Sequence, residues 1–455
     1  MTQPRVLIAG TSSSSGKTTA VCALLSLLKR RKISVRSFKC GPDYIDPMFH
    51  RSVIGIKCSN LDPFFCDDDL LRYLLFENAA GNLAVIEGVM GYYDGTGDNG
   101  SDNSTYSVAK KTDSPVIIVV NAKGASSSLL AVVEGFLNYL PNSNIRGVLF
   151  NRMSLMNYKY VCSLMKTRFR DSVIPVGYIP ELPDECLFPS RHLGLVTAAE
   201  ITDLQKKLDK IADICENTID IDAVLSIADK AGRLNCTSPV VPAHEKINIA
   251  AAFDSAFCFY YSDNFDLLKK MGAEITFFSP LKNEPVPRNA DGLLLGGGYP
   301  ELYTDILEKN EISKNSILNS IESGMPAIAE CGGFQYLGKT VDGKKMCGLF
   351  DSESFSENKL VRFGYNTITS EKDGIFGKKG TSFKAHEFHY WDSTLNGDSF
   401  TAVKPNGKSW KCAFTTDTLY AGYPHLYLWS NLPAANSFYN KCLEYKERKN
   451  DHQRP

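Results

Sequence analysis

Residues 5–19, RVLIAGTSSSSGKTT, decide the fold of the first half of the chain. A short apolar run ends at Gly10, a serine-rich loop follows, and an apolar helical pattern extends from Gly16 to Leu28. This is the strand–loop–helix arrangement that a phosphate-binding loop requires, because the loop amides and the helix N-terminus both face the phosphates. The two glycines are separated by five residues here, whereas the usual motif has four between them.

The residues of this loop have separate roles in the predicted nucleotide site. Main-chain amides cradle the phosphates, Lys17 reaches the β- and γ-phosphates, and the Thr18 hydroxyl binds Mg²⁺. The alternative is a chance Gly-Lys-Thr in a polar loop, which the flanking strand and helix patterns disfavour. Position 12 is Ser12, which argues against ATPases that dimerise by donating a lysine from this loop. The residues predicted to bind ATP are Gly10, Thr11, Ser13, Ser14, Ser15, Gly16, Lys17, Thr18 and Thr19.

Short apolar runs alternate with helical patterns along the first half, which predicts a mostly parallel, doubly wound α/β sheet. The candidate strands are residues 6–9, 35–39, 83–86, 116–120, 147–151 and 174–179, with helical spacing at 20–28 and 128–140. In such a sheet the ligand crevice lies at the carboxyl ends of the strands. The loops 10–19, 40–47 and 87–95 all follow predicted strands, so we expect them to form one site.

Three carboxylates occupy these strand ends. Asp43 and Asp46 lie in KCGPDYIDP (39–47), and Glu87 ends the run at 83–87. Mg²⁺ prefers oxygen ligands and usually takes only one or two from the protein, so Thr18, Asp43 and Glu87 suffice as its predicted ligands. Asp46 is predicted to contact the substrate. The alternatives are that the two aspartates cap a turn and that Glu87 is an ordinary strand-end residue.

The second half repeats the α/β pattern after a polar helical stretch at 197–231. Residues 236–245 contain two prolines and are typical of an interdomain linker. Beyond them, strands are predicted at 247–253, 274–278, 292–295 and 327–329, helices at 263–270 and 313–323, and a strand-rich region after residue 346. The predicted domains are therefore 1–235 and 246–445, both α/β and doubly wound.

A second reactive motif lies at residues 325–333, MPAIAECGG, where an apolar run ends at Cys331. A strand that ends in a sharp, glycine-permitted turn exposes one side chain at the start of the next helix. The helix N-terminus is expected to favour the thiolate, which is the nucleophilic form of cysteine. The alternative is a structural role, because free cysteine is usually buried in a core.

Two distant segments favour the nucleophile. Residues 291–301, DGLLLGGGYPE, form another strand and glycine-rich turn, and the amides of Gly297 and Gly298 are predicted to form an oxyanion hole. His425, in YPHLY (423–427), is the candidate base. A cysteine with a histidine base and two amide donors is the equipment of acyl transfer through a thioester.

Length, charge and cysteine usage restrict the class of protein. The 455 residues are too many for one compact core and enough for two. A net charge of −1 offers no support for nucleic-acid or anionic-membrane binding. The 13 cysteines include no Cys-x-x-Cys pair, which predicts reduced thiols rather than disulfides or a zinc site. No apolar stretch is long enough to span a membrane, and the first strand leaves no room for a signal peptide, so a cytoplasmic enzyme is expected.

Matching segments occur in the expected order along nearly the whole chain, and on them the chain resembles the cobyrinate a,c-diamide synthase family. They include GTSSSSGKTT (10–19), FKCGPDYIDP (38–47), NLDP (60–63), EGVMG (87–91), RHLGLV (191–196), AFCFYY (256–261), residues 296–303 and 329–338, and HEFHY (386–390). The first half is similar to dethiobiotin synthetase, which shares the five-residue spacing, and the second to class I glutamine amidotransferases. The resemblance implies that Arg191 and His192 contact the substrate. Ordinary class I members place a glutamate two residues after the histidine, but this position is Tyr427, which leaves His425 without an evident acidic partner.

His386 and His389 flank Glu387, which raises the alternative of a metal site. Strong metal motifs place histidines four residues apart on a helix with a further ligand, and the sequence shows neither. A structural or substrate-positioning role is therefore favoured.

The resemblance also implies a mechanism. ATP converts a carboxylate to an acyl phosphate, while Cys331 releases ammonia from glutamine, and an enclosed route between the domains then delivers that ammonia. The implied acceptors are the a- and c-acetates of cobyrinate. Ni-sirohydrochlorin as the acceptor, and a P-loop regulatory ATPase with an inert amidotransferase-like domain, stay open as alternatives. So does the oligomeric state, a homodimer included.

Overall fold

The computed structural model describes residues 3–96, 100–187 and 198–451. The predicted substrate residues Arg191 and His192 lie outside these ranges. The chain divides into two compact units, Met1–Pro239 and Val240–Pro455. Residues 231–246, which contain this boundary, have no helix or strand. Each unit has its own hydrophobic core.

The first unit is built on a seven-stranded sheet in the order β3-β2-β4-β1-β5-β6-β7, with all neighbours parallel. Its strands are β1 Arg5–Gly10, β2 Val35–Cys40, β3 Cys58–Leu61, β4 Leu83–Glu87, β5 Val116–Asn121, β6 Ile145–Asn151 and β7 Ile174–Ile179. Its helices are α1 Lys17–Arg30, α2 Ile45–Phe49, α3 Asp68–Ala79, α4 Thr105–Lys111, α5 Ser128–Asn138, α6 Leu155–Phe169, α7 Ala198–Cys215 and α8 Ile221–Asp229, with a π-helical turn at His50–Ile54 and a 3-10 turn at Asp184–Cys186. The predicted parallel sheet is confirmed.

Alternating side chains of the central strands bury one face of this sheet against α1. Ile8, Val85 and Val119 share a core cluster with Leu24 and Leu28 of that helix. Burial of such side chains stabilises the fold by about 1.5–3 kcal/mol each. The sequence analysis missed β3, α3, α4 and α6. The helical stretch predicted at 197–231 is two helices, interrupted at residues 216–220.

The second unit combines a six-stranded sheet with two smaller ones. The larger sheet has the order β20-β21-β11-β10-β8-β9, parallel except for β20, and the others have the orders β13-β12-β14-β17 and β19-β18-β15-β16-β22. Its strands are β8 Ile247–Ala252, β9 Ala273–Phe278, β10 Gly292–Leu295, β11 Ala327–Glu330, β12 Thr340–Val341, β13 Lys344–Lys345, β14 Glu353–Ser356, β15 Arg362–Ser370, β16 Ser382–His389, β17 Trp391–Ser393, β18 Phe400–Val403, β19 Ser409–Cys412, β20 Phe414–Thr415, β21 Leu419–Gly422 and β22 His425–Leu426. Its helices are α9 Ser262–Met271, α10 Thr304–Leu307, α11 Glu311–Glu322, α12 Gly332–Leu337 and α13 Leu432–Asp451, with 3-10 turns at Pro280–Lys282, Pro300–Tyr303 and Leu428–Ser430.

Both sheets present their carboxyl ends to the segments that the sequence marks as reactive. In the first unit, β1, β2 and β4 lead into the loops after Gly10, Cys40 and Glu87. In the second unit, β10 and β11 lead into the triple glycine and Cys331. No helix in the described parts of the chain combines the length and the apolar character needed to cross a bilayer.

Candidate active sites

The loop between β1 and α1 is shaped by two glycines whose positions tolerate no side chain. Gly16 has a left-handed φ of 92°, and a Cβ there would overlap the side-chain amide of Asn151. That amide donates a hydrogen bond to the Ser15 carbonyl at 3.0 Å. A Cβ on Gly10 would lie 2.9 Å from the Ser12 carbonyl oxygen and 3.3 Å from Lys17 Nζ. The loop therefore closes tightly around the end of the lysine.

Lys17 is held inside this loop. Its ammonium donates to the Met90 carbonyl at 2.7 Å, and its side chain is buried. Burial, followed by the nearby Lys39 ammonium, lowers the pKa of Lys17 to about 8. A desolvated ammonium at the start of a helix is suited to bind phosphate oxygens, which supply the negative charge that it lacks.

Lys39, which the sequence analysis did not single out, is a second buried cation in this site. Its Nζ lies 2.6 Å from Asp46 Oδ2 and 3.1 Å from Glu87 Oε1. Burial by itself would lower the pKa of Lys39, but the carboxylates of Asp46 and Glu87 outweigh it and raise the pKa well above its usual value. Lys39 therefore stays charged and draws two predicted site carboxylates together.

The predicted magnesium ligands lie in the same cluster, and Thr18 and Glu87 fit the ion. The Thr18 hydroxyl donates to Glu87 Oε1 at 2.9 Å, so two hard oxygens are adjacent at the mouth of the phosphate loop. Burial opposes the charge of Glu87, but Lys39 and His50 lower the pKa of this carboxyl, which keeps it ionised. No group of three or more His, Cys, Asp or Glu in the described residues is arranged to hold a metal. Mg²⁺ in phosphate sites completes its shell with phosphates and water, so two protein oxygens are sufficient.

Asp43 fits less well as a third ligand. Its Oδ1 accepts a hydrogen bond from the Ile45 amide at 2.8 Å. Burial, followed by the neighbouring Asp46 carboxylate, raises the pKa of Asp43 to about 7. Asp43 thus holds a proton during part of the time at neutral pH, and an incoming cation must displace it.

His50 is another residue that sequence reasoning missed. It begins the π-helical turn and is fully buried. Its Nε2 lies 3.2 Å from Glu87 Oε2, and its Nδ1 lies 3.1 Å from the Ser37 hydroxyl. The ring therefore lies beside Oε2 of Glu87, whereas Thr18 donates to Oε1. The histidine has no local sequence signal, since the residue that it serves is 37 positions away (87 − 50).

A cavity of about 810 Å³ opens beside this cluster. Its apolar lining comes from the loop after β4 and from α5, and includes Met90, Tyr93, Val132, Phe136 and Tyr139. The loop is tied to the phosphate loop, because Tyr92 N–H donates to the Gly10 carbonyl at 2.8 Å. Cavities of roughly 300–1,000 Å³ hold organic ligands. Met90, which lines this one, accepts the hydrogen bond from Lys17 through its carbonyl.

In the second unit, Cys331 lies on a strained turn between β11 and α12. Its φ of 47° and ψ of −105° are unusual for a residue with a Cβ. Its amide donates to the Gly422 carbonyl at 2.8 Å, which helps to hold this conformation. A Cβ on Gly333 would overlap the Leu295 carbonyl oxygen, so glycine is required for α12 to start this close to β10. Strand, strained turn and helix have the arrangement of a nucleophile elbow, with the Cys331 side chain itself buried.

The structure brings Cys331 and His425 together at Gly297. A Cβ built on Gly297 would overlap His425 Cε1 and would lie 3.1 Å from His425 Nε2 and 3.4 Å from Cys331 Cβ. Both side chains therefore converge on one point above a residue with no side chain. His425 reaches it from β22, which pairs with β16.

The surroundings of Cys331 raise the pKa of its thiol. Burial raises the pKa of Cys331, and the Glu301 carboxylate adds to this, while a hydrogen bond from the Gly332 amide opposes it. The Gly332 amide, at the helix N-terminus, acts in the expected direction by favouring the thiolate, but burial and the charge of Glu301 outweigh it. Thiolate formation needs a base, and His425 is in place to accept the proton.

The triple-glycine turn supports the Gly298 amide as an oxyanion donor. The Gly297 carbonyl accepts hydrogen bonds from the Cys258 and Phe259 amides, both at 2.9 Å. Because carbonyl and N–H groups of one trans peptide point in opposite directions, the Gly298 N–H is directed away from those residues. A Cβ on Gly332 would lie 3.1 Å from the Gly298 nitrogen, which places this amide beside the Cys331 turn. A Cβ on Gly298 itself would overlap the Ala256 carbonyl.

His386 and His389 are both buried. Burial, followed by the nearby His425, lowers the pKa of His386 to about 3, so it stays neutral. His389 Nδ1 lies 2.6 Å from the Trp391 carbonyl, its Nε2 lies 3.2 Å from Glu387 Oε2, and its ring stacks on Tyr423 at 3.9 Å. These contacts occupy both ring nitrogens of His389.

Comparison with known proteins follows the same division. Residues 6–195 match the family described as the CobQ/CobB/MinD/ParA nucleotide binding domain, and residues 248–433 match the CobB/CobQ-like glutamine amidotransferase domain. A cobyrinate a,c-diamide synthase of Listeria monocytogenes serotype 4b is 38% identical over 442 residues, covering 94% of this chain and 97% of the relative. One of Priestia megaterium is 35% identical over 465 residues, covering 99% of this chain and 100% of the relative. One of Clostridium acetobutylicum is 36% identical over 435 residues, covering 94% and 98%. With both domains matched and relatives similar over nearly their whole length, the chain belongs to the cobyrinate a,c-diamide synthase family.

Proposed function

We propose that this protein amidates the a- and c-acetate carboxylates of cobyrinate, using ATP to activate each carboxylate and glutamine to supply the nitrogen. The observation that carries the proposal is the presence of two complete constellations on one chain. Lys17 lies in a closed phosphate loop beside Thr18 and Glu87, and Cys331 converges with His425 on Gly297. The full-length similarity to cobyrinate a,c-diamide synthases supports the same substrate.

The first site activates the acceptor. A carboxylate does not react with ammonia, because its oxygen is a poor leaving group. Transfer of the γ-phosphoryl of ATP gives an acyl phosphate, and the phosphate then leaves when ammonia attacks. Lys17 neutralises charge on the transferred group, with the loop amides of residues 10–19 around the phosphates. Bound Mg²⁺, held by Thr18 and Glu87 with Asp43 as a further candidate, would supply additional charge neutralisation.

The cavity beside the phosphate loop is the proposed location of the macrocycle. In-line transfer requires the acceptor carboxylate to meet the γ-phosphate at Lys17, so the rest of the acceptor must lie next to that lysine. The apolar lining suits the methyl-bearing ring system of a tetrapyrrole. An acetate on the side of Met90 would reach towards Lys17, which contacts the Met90 carbonyl. Asp46, Arg191 and His192 are proposed as further substrate contacts, the last two from the sequence alone.

The second site releases ammonia. The Cys331 thiol gives its proton to His425 and attacks the glutamine amide carbon, while the Gly298 amide, with Gly297 as the second candidate, stabilises the oxyanion. The C–N bond then breaks, the departing nitrogen takes the proton from His425, and water hydrolyses the thioester to glutamate. We assign the synthetase chemistry to residues 1–235, the linker to 236–245 and the amidotransferase to 246–445. Dependence on ATP and glutamine favours the cytoplasm as the compartment.

A side-by-side assay tests the substrate. Purified protein with ATP, Mg²⁺ and glutamine is incubated with cobyrinate or with Ni-sirohydrochlorin, and products are resolved by mass spectrometry. We expect a gain of two amides on cobyrinate, with one glutamine hydrolysed per amide. Preferential amidation of Ni-sirohydrochlorin would replace the proposed substrate, and glutamine-independent ATP hydrolysis without amidation would favour a regulatory ATPase.

A further inference from the structure

Glu330 is the last residue of β11 and directly precedes the nucleophile. Glu330 is 8% exposed, and its two oxygens face different groups of β22. Oε1 accepts a hydrogen bond from the Leu426 amide at 2.9 Å. Oε2 lies 3.6 Å from Nδ1 of His425. One buried carboxylate thus faces both the backbone and the imidazole of the strand that carries the base.

The acidic group that lies against the Nδ1 of His425 is Glu330. Two residues along the chain, Tyr427 is buried with its ring edge-on to Tyr261 at 5.3 Å and carries no carboxylate. On the neighbouring strand His386 is opposite His425 in the register, and it is a second imidazole. Glu387 accepts from the Asn366 amide and lies against His389. Glu330, held by the Leu426 amide, is thus a buried carboxylate directed at this ring.

We propose that Glu330 is the positioning residue of His425, a role that rests on the proposed glutaminase reaction. Glu330 Oε2 accepts from Nδ1–H of the ring, which leaves Nε2, the nitrogen on the Cys331 side, as the lone-pair acceptor. When the thiol proton moves to Nε2 and the S–C bond forms, both nitrogens are protonated, and the carboxylate stabilises the imidazolium. The proton then leaves with the ammonia, and the ring returns to its starting tautomer. The 3.6 Å separation is expected to shorten when glutamine is bound, as catalytic hydrogen bonds often do.

Replacing Glu330 by glutamine separates this role from a structural one. The amide oxygen of Glu330→Gln still accepts from Leu426 N–H, so the backbone contact is kept. The amide nitrogen takes the place of Oε2 and donates to Nδ1, which forces the proton onto Nε2. In that tautomer His425 points a hydrogen at Cys331 and cannot accept its proton. Glu330→Ala breaks the contact with Leu426 but leaves the ring free to adopt either tautomer.

The test compares the glutaminase activities of Glu330→Gln and Glu330→Ala. We expect glutamine hydrolysis by Glu330→Gln to fall by roughly 10²–10⁴-fold in kcat, as when a triad carboxylate becomes an amide, with the KM for glutamine little changed. Glu330→Ala should be less stable by thermal melting yet no less active than Glu330→Gln. A structural role predicts the reverse order, because the amide preserves the backbone hydrogen bond. Glu371→Gln, which changes an exposed partner of Lys411, is the matched control and should behave as wild type.

Ammonia-dependent amidation distinguishes the remaining outcomes. Glu330→Gln should retain ATP-dependent synthesis from ammonium salts at alkaline pH. The proposal is overturned if Glu330→Gln keeps more than half of the wild-type glutaminase kcat, or if it loses both activities together with a lowered Tm. A wild-type enzyme that hydrolyses glutamine but forms no diamide would contradict the proposed substrate and leave the role of Glu330 standing.

Discussion

Cys331 occupies a backbone conformation that opposes its own side chain. A φ of 47° with ψ of −105° is readily adopted by glycine but costs a residue with a Cβ about 1–3 kcal/mol. The fold accepts this cost because the hydrogen bond to Gly422 and the close approach at Gly333 fix the turn. The backbone of the turn thus imposes this strain, and any residue with a Cβ at position 331 would have it.

The strain predicts an inverted stability order at this position. Alanine is normally more stable than glycine, since glycine has more conformational freedom to lose on folding. At residue 331 we expect the free energy of unfolding of Cys331→Gly to exceed that of Cys331→Ala by about 1 kcal/mol. Urea unfolding of both inactive variants measures this difference. A clearly more stable alanine variant would show that the turn relaxes without cost.

The negative charge of Glu301 raises the pKa of the Cys331 thiol, in addition to the larger effect of burial. Burial, followed by Asp342, raises the pKa of Glu301 to about 7. As the pH rises through 7 this carboxyl ionises, and its negative charge adds to the burial that already raises the pKa of Cys331. Glu301→Gln should therefore speed iodoacetamide alkylation of Cys331 about threefold to tenfold at pH 9 and leave it unchanged at pH 5.5, where Glu301 is neutral in both.

Peptide mass spectrometry resolves this alkylation from that of the other cysteines, and the exposed Glu322→Gln serves as control. An equal effect at both pH values would mean that Glu301 acts through packing and not through its charge.

The residues that sequence analysis singled out share a local signal. Lys17 and Cys331 each follow an apolar strand and stand beside glycines, and the structure places both at the start of the helix after that strand. Lys39, His50 and Glu330 were missed because their partners are distant in the chain. Glu330 and His425 are 95 positions apart in the chain (425 − 330) and meet only in the folded structure. A lysine within an otherwise apolar strand end was the signal available for Lys39.

At the scale of elements, the turn after β10 is what assembles the glutaminase site. Its three glycines are needed for different reasons: Gly296 lies against the Tyr260 ring, Gly297 against His425, and Gly298 against the Ala256 carbonyl. The other elements therefore pack directly against this turn. A methyl group added at each glycine would overlap a different neighbour.

Gly297→Ala should disable glutamine hydrolysis without harming the other unit. The new Cβ would overlap His425 Cε1, so the imidazole must move away from Cys331. We expect at least a 10²-fold loss of glutaminase kcat, with amidation from ammonia retained. Gly380→Ala is the control: its φ of 90° makes the substitution strained by about 1 kcal/mol, but nothing lies within 4 Å of the new atom. If both variants kept full glutaminase activity, the convergence on Gly297 would be irrelevant to catalysis.

The predictable elements are those whose apolar residues are contiguous. The central strands β1, β4 and β5 were predicted because they are buried on both faces. β3, with the sequence CSNL, was missed because Ser59 and Asn60 are buried through hydrogen bonding as much as apolar packing. The two smaller sheets of the second unit were predicted only as a strand-rich region, since their pairing joins segments through turns of unequal length.

The whole molecule joins two folds, each with its own hydrophobic core. What the sequence could establish at this scale was the number of α/β patterns and the break between them. The division at Pro239 and Val240 lies in a stretch without helix or strand. Each reactive loop is embedded in its own sheet, so a change in one should leave the other chemistry standing.

Reciprocal variants test this division of labour. Lys17→Ala removes the ammonium that neutralises the transferred phosphoryl group, so no acyl phosphate should form and amidation should fall at least 10³-fold with either glutamine or ammonia. Its glutamine hydrolysis without ATP should match that of wild type.

Cys331→Ser replaces the thiol by a far weaker nucleophile, so glutamine hydrolysis should fall by several orders of magnitude while ammonia still supports amidation. Coupled assays of glutamate, ADP and amidated product measure all three reactions on each variant. A Lys17→Ala enzyme that amidates normally, or a folded Cys331→Ser enzyme inactive with ammonia, would show that the two chemistries are not divided between the units in this way.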